Sequence, residues 1–266
     1  MTDTVLLTID SRGVATLTLN RPEKHNAFDD AIISELTEKL VAVDNDKSIR
    51  LMILTGAGKS FSAGADVNWM RRSAEYDEAR NIEDALKLAE MMSTLDSMRI
   101  PTIARINGAT FGGGVGLVSC CDIAIASTAA KFALSEVRLG LVPSVISPYV
   151  IAAIGAHNAR RYFLTADRIP ADKAREIGLV HEVAEPDKLD EAVEREVGML
   201  LKGGPKALTA AKNLIASQVA LSTSAQRNLR SKTANIIAQL RVSKEGQEGL
   251  SAFLEKRPAN WIKDSK

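Results

Sequence analysis

Apolar and polar positions alternate from the start of the chain. Ala15, Leu17 and Leu19 stand against Thr16, Thr18 and Asn20, the period of a strand with one buried face. With the preceding run "VLLTID" and the turn residues Ser11, Arg12 and Gly13, this predicts a β-hairpin. The period then changes. In "DDAIISELTEKLVAV" the positions Ile32, Leu36, Leu40 and Val43 recur at helical spacing behind Asp29, whose carboxylate suits an N-cap. "RLMILTG" is short, apolar and ends at glycine, as a buried strand does. The same unit recurs: a polar, helical stretch from Glu75 to Met98, a strand at "TIARING", a run of three glycines, and a third buried strand at "DIAIA". Strands that alternate with helices and end at glycine-rich turns predict stacked ββα units, their loops gathered at one edge of the sheet. From about Ile146 the pattern is almost entirely helical, with one short strand at "LVHEV". Pro205 to Leu254 reads as helix with few long apolar faces, so part of it is expected to pack on another chain. No low-complexity linker separates the two halves.

Composition narrows the function classes. The 266 residues are 45% hydrophobic and 25% charged, an ordinary globular balance with enough chain for a real core. A net charge of +1 provides no basic field for nucleic acid. Cys120 and Cys121 adjoin in an apolar run, which predicts reduced core thiols rather than a disulfide. The N-terminus lacks a basic start followed by a sustained apolar stretch, so no signal peptide is expected. Arg105, Asn107 and Asp122 interrupt the longest apolar region, which argues against a membrane span. A cytoplasmic protein is the expectation.

Three segments carry candidate chemistry. Gly58-Lys59-Ser60 suggests a phosphate loop, but the glycine that pattern requires at position 53 is isoleucine. His25, His157 and His181 lie too far apart in sequence to suggest a metal site. In "SAGAD" the small residues 62–65 follow a strand and precede a helix start capped by Asp66. "GATFGGGVGL" repeats that architecture, and Gly112, Gly113 and Gly114 let backbone N–H groups approach a ligand with no Cβ in the way. Each turn alone reads as readily as a loop with an N-cap or as close helix packing. Together, two N–H donors converging on one carbonyl oxygen form an oxyanion hole, worth roughly 3–4 kcal/mol per donor as charge develops. Glu136 lies between apolar Leu134 and Val137. Desolvation there would raise its pKa toward a value suited to proton transfer, although an ion-paired or capping glutamate is the commoner case.

The segments "RPEKHNAF" (21–28), "AGAD" (63–66), "NGATFGGG" (107–114), "CDIAIA" (121–126), "SEVRLGLVP" (135–143) and "FLEKRPANW" (253–261) resemble, in order and spacing, the enoyl-CoA hydratase/isomerase (crotonase) superfamily across essentially the whole chain. The resemblance implies an α/β crotonase (ClpP/crotonase-like) spiral of ββα units over residues 1–200. It implies a C-terminal helical region, 201–266, that builds homotrimers, often paired as dimers of trimers. The ligand would be an acyl-CoA thioester, coenzyme A being part of the substrate, so that no separate cofactor, metal, nucleic acid or membrane is called for. Carried over by motif, the oxyanion donors are the N–H groups of Ala65 and Gly113, and Glu136 is the catalytic carboxylate. Lys24, His25, Ala27, Ala63, Gly64, Asp66 and Gly112 fall at the substrate and CoA site. Phe253 and Lys256 join from the C-terminal helix of the same or a neighbouring subunit. The family's other hydratase glutamate falls at Gly116, so one of the two usual carboxylates is missing.

"SVISPYVIAAIG" (144–155) and "GGGVGL" resemble bacterial methylglutaconyl-CoA hydratases and the related hydratases of acyclic terpene breakdown, whose substrates carry a second carboxylate. Arg71 and Arg72 are candidate cations for it. The resemblance implies syn addition of water across a branched 2-enoyl-CoA. A single-glutamate enoyl-CoA isomerase and a catalytically silent binding protein of the same fold are the rivals.

Overall fold

The structure, a computed structural model, describes residues 3–219 and 223–262. The predicted hairpin is β1 (Val5–Ile9) and β2 (Val14–Leu19), paired antiparallel. Helix α1 (Asp30–Asn45) follows, and the Asp29 side chain accepts the Ile32 N–H at its start. Next come β3 (Leu51–Gly56), β4 (Ser60–Ser62), α2 (Val67–Ala74), α3 (Glu78–Asp96), β5 (Thr102–Ile106) and β6 (Ala109–Phe111). Helix α4 (Gly113–Cys120), β7 (Ile123–Ser127), β8 (Lys131–Ala133), α5 (Ser147–Thr165), β9 (Ile169–Pro170), α6 (Ala171–Glu176), β10 (Glu182–Ala184) and α7 (Leu189–Lys202) complete the α/β part. Three helices close the described chain: α8 (Pro205–Val219), α9 (Thr223–Val242) and α10 (Lys244–Leu254).

Two sheets are built. The larger has the order β1-β2-β3-β5-β7-β10, parallel from β2 onward. Both of its faces are covered, as a parallel sheet requires. Successive side chains point to opposite faces: Val14, Leu51, Ile103 and Ile125 pack against Leu189, Val193 and Val197 of α7. Leu17, Met52, Leu54, Ala104 and Ala126 enter the main core beneath α1, α3 and α4. The smaller sheet, β4-β6-β8-β9, consists of strands of two or three residues.

The predicted helix from Glu75 starts later, at Glu78, because Asp77 caps α3 through the Arg80 N–H and ends the preceding turn. The short strand expected at "LVHEV" lies slightly downstream, at Glu182–Ala184, in register with Ile125–Ser127. Helix α9 packs along α3, and α10 packs on α2 and on the 3₁₀ turn Glu136–Leu139. Leu214 and Ile215 of α8 remain 62% and 65% exposed, a face left uncovered by the other described residues. Cys120 and Cys121 are buried free thiols. Among the described residues no helix is long and apolar enough to cross a membrane.

Candidate active site

Strands β4, β6 and β8 are parallel neighbours, so the chain leaves their C-terminal ends at adjacent points. Open α/β sheets gather ligands at that edge. All three candidate segments are these departures.

After β4, Gly64 takes φ +85°, and a Cβ there would lie 3.0 Å from the Phe111 carbonyl oxygen. Glycine therefore permits both the conformation and the contact between the two turns. Phe28 forms a parallel bridge with Ala65: its N–H donates to the Gly64 carbonyl at 2.6 Å, and its carbonyl accepts the Asp66 N–H at 2.7 Å. The amide of Ala65, between these two bonded neighbours, faces the other way and has no partner among the described residues.

After β6, Gly112 adopts φ +49°, ψ −118° and caps α4, and its N–H donates to the Ala133 carbonyl at 2.9 Å. Gly113 is the first residue of α4, so its N–H is one of the donors that a helix start leaves open, at the positive end of the helix dipole. A Cβ on Gly113 would meet the Phe28 ring at 2.7 Å. The buried Phe28 thus holds both turns at once, bridged to Ala65 and packed on Gly113.

After β8, Glu136 opens the 3₁₀ turn. Its Oε1 sits 3.3 Å from where a Gly112 Cβ would be, which places the carboxyl directly against the second turn. Its Oε2 is buried with no hydrogen-bond partner among the described residues. Burial outweighs an opposing backbone hydrogen bond and pushes the carboxyl up to about 7. Such a group exchanges a proton at neutral pH in either direction.

One cavity of about 390 Å³ takes in Ala63, Gly64, Ala65, Gly112, Gly113, Glu136 and Phe253. Phe253 comes from α10 of the same chain. The rest of the wall is mostly apolar and includes Trp69, Met70, Leu88 and Ile146, with Arg138 and Arg241 as its cations. Glu136 is the one carboxylate among the described lining residues. Among the described residues no cluster of three His, Cys, Asp or Glu side chains gathers to hold a metal.

Other residues singled out in the sequence lie outside the cavity lining. The Ala63 N–H donates to the His25 carbonyl at 2.9 Å, and the His25 ring Nδ1 lies 3.0 Å from the Ser60 hydroxyl. Asp66 caps α2 by accepting the Asn68 and Trp69 N–H groups, and it pairs with both Arg21 and Lys24 at 3.2 Å. Ala27 is buried in the same loop, and Lys256 follows α10 at φ +56°. Lys24, His25, Ala27, Asp66 and Lys256 do not line the cavity.

One expectation changes. Arg71 and Arg72 are exposed on α2, outside the cavity, and Arg72 pairs with Asp30 at 2.6 Å. Of the two cations that line the cavity, Arg241 stands four residues after buried Ile237 on α9. That helical spacing was its one signal in the sequence. Gly116, where the family's other glutamate falls, leaves no room for a side chain. A Cβ there would lie 2.3 Å from Ile146 Cγ2, 2.9 Å from Ile146 Cβ and 3.1 Å from Met92 Cε. The space is filled by a branched apolar side chain.

Comparisons with known proteins show the family. The model of the enoyl-CoA hydratase/isomerase family matches residues 10–264. A crotonyl-CoA hydratase of Syntrophomonas wolfei is 36% identical over 94% of both chains. The 2,3-dehydroadipyl-CoA hydratase of Escherichia coli is 32% identical over 96% of this chain and 98% of its own. An enoyl-CoA hydratase structure from Shewanella pealeana superposes with a TM-score of 0.79 at 44% identity, over 97% of this chain and 96% of the other. With the family model matching nearly the full length and a relative 36% identical over 94% of it, the chain belongs to the enoyl-CoA hydratase/isomerase family.

Proposed function

We propose that the protein adds water reversibly across a short branched 2-enoyl-CoA, with 3-methylglutaconyl-CoA as the leading substrate. The observation that carries this reading is the juxtaposition of the Glu136 carboxyl with the open N–H groups of Ala65 and Gly113 in one apolar cavity. The hydratase names of two relatives support the reaction class. The "SVISPYVIAAIG" segment supports the branched acid.

The thioester oxygen accepts the Ala65 and Gly113 N–H groups. The Glu136 carboxylate takes a proton from water as its oxygen bonds to the β-carbon, and the negative charge moves onto the thioester oxygen. Protonated Glu136 then returns that proton to the α-carbon on the same face, which completes syn addition. One carboxylate serves as base and then as acid, and a pKa of about 7 suits both roles. Exposed Leu214 and Ile215 on α8 support self-association into the trimers, or dimers of trimers, expected of the family.

A second reading has its own observation. With Ile146 filling the space beside Gly116, one carboxylate faces the substrate, and one suffices to move a proton between carbons in a Δ3-Δ2-enoyl-CoA isomerase. Incubation with 3-methylglutaconyl-CoA and with a linear 3-enoyl-CoA, followed by mass spectrometry, separates the two. Hydration adds the mass of one water; an unchanged mass with a shifted double bond identifies the isomerase.

A further inference from the structure

Two cations line the cavity and the proposed proton chemistry uses neither: Arg138, whose Nη2 donates to the Ala166 carbonyl at 3.0 Å, and Arg241. Arg241 projects from α9 into the space between α2 and α3. Its Nη1 donates to the Asn81 Oδ1 at 3.1 Å, and its guanidinium carbon lies 5.7 Å from the centre of the Trp69 ring. Asn81 is itself fixed, because its amide nitrogen donates to the Tyr76 and Asp77 carbonyls, both at 3.1 Å. That orientation leaves the Asn81 oxygen for Arg241 and holds the guanidinium in place.

No carboxylate of the described residues comes within ion-pair distance of Arg241. Asp84, the acid whose charge acts on it, accepts the Trp69 indole N–H at 3.2 Å and does not line the cavity. Burial presses the guanidinium below its ordinary value, and the charge of Asp84 offsets part of that. A guanidinium offers five donors in a planar fork that matches a carboxylate in two parallel bonds. One is engaged here, and none of the other nitrogens is both occluded and unpartnered. Arg241 lines the cavity together with Trp69, Ser73, Ala85 and Ile237. A cation without an ion-pair partner on an apolar wall is kept there at a cost in desolvation, and it favours an anion as ligand.

We infer that Arg241 sets the acyl specificity: it receives a carboxylate carried by the acyl chain, so that the preferred ligands are CoA monoesters of short dicarboxylic acids. This rests on the reading of the cavity as an acyl-CoA site. Asn81 and Trp69 position the guanidinium, and Asp84 stays committed to the indole.

The test is calorimetric binding of glutaryl-CoA and butyryl-CoA, saturated esters that undergo no hydration, to the wild type, Arg241→Met and Arg241→Lys. The expected wild type binds glutaryl-CoA more tightly. Arg241→Met lowers glutaryl-CoA affinity by about 10- to 100-fold, the range of a charge-assisted hydrogen bond, and leaves butyryl-CoA unchanged. Arg241→Lys retains part of the preference. Equal binding of both esters by the wild type overturns the inference. Equal weakening of both esters in the variants also overturns it, since that is the signature of a clamp between helices. If Arg241→Met fails to fold, the Arg241→Lys ratio decides in the same way. Hydration is read separately: a wild type that hydrates no enoyl-CoA but keeps an Arg241-dependent glutaryl preference refutes the proposed reaction and not this assignment.

Discussion

Replacing Gly116 by alanine is expected to destabilise the protein even though it puts a better helix former into α4. The gain in helix propensity is about 0.8–1 kcal/mol. Against it stands a new Cβ 2.3 Å from Ile146 Cγ2 and 2.9 Å from Ile146 Cβ. Overpacking a core costs about 1–3 kcal/mol. Here the obstructing atoms belong to a β-branched side chain that is 3% exposed and has few rotamers to retreat into. The third contact, Met92 Cε at 3.1 Å, is the end of a flexible chain that can give way. The cost therefore sits toward the upper end and wins, for a net loss of about 1–2 kcal/mol. The assay is urea unfolding at one protein concentration, since self-association shifts apparent stability. It is run on the wild type, Gly116→Ala, Ile146→Ala and the double variant. Ile146→Ala alone should cost about 2–5 kcal/mol. In that background Gly116→Ala should cost nothing or stabilise, because the 2.3 Å contact is gone. If Gly116→Ala stabilises the wild type, or costs as much in the Ile146→Ala background, Ile146 does not fill the site as described.

Three further outcomes follow from the same geometry. Gly64→Ala forces a side chain onto φ +85°, 3.0 Å from the Phe111 carbonyl, so it should turn the Ala65 N–H away and lower kcat by about 10²–10³; a kinetic assay showing normal kcat removes that donor from the account. The base form of Glu136 is required, so kcat/KM should rise with pH through about 7 and then level; a profile flat from pH 5 to 8 contradicts it. Stability should show the opposite trend. Glu136 titrates near 4.5 when unfolded and near 7 when folded, so between those values the native state holds a proton that the unfolded chain has released. Its contribution therefore becomes more unfavourable as pH rises across that window, by at most about 3 kcal/mol. Glu136→Gln should accordingly be the more stable protein at about pH 8 and lose that advantage by about pH 4 in chemical denaturation.

The long elements were legible because their periods are long enough to read. Ile32, Leu36, Leu40 and Val43 are all buried on α1, and the hairpin register pairs Leu7 with Leu17. The smaller sheet was not legible as a sheet, since strands such as Lys131–Ala133 and Ile169–Pro170 are too short for any alternation to show. Yet that sheet positions the site. The glycines of the two turns could be read from the sequence because a bare backbone leaves a mark in composition. Ile146 could not, because the absence of a side chain at position 116 says nothing about which distant residue occupies the space. Arg241 was hidden for a related reason: Arg71 and Arg72 are near the capped turn in sequence, whereas Arg241 reaches the cavity through packing of α9 on α3.

The claim most open to direct test is that one carboxylate, Glu136, moves the proton in both halves of the addition. Turnover of 3-methylglutaconyl-CoA should be followed by mass spectrometry for the wild type and Glu136→Gln, with CoA-ester binding measured alongside. The wild type should add one water, and Glu136→Gln should lose about 10²–10⁴ in kcat with binding retained. Full turnover by Glu136→Gln, with the ester still bound, would contradict the account.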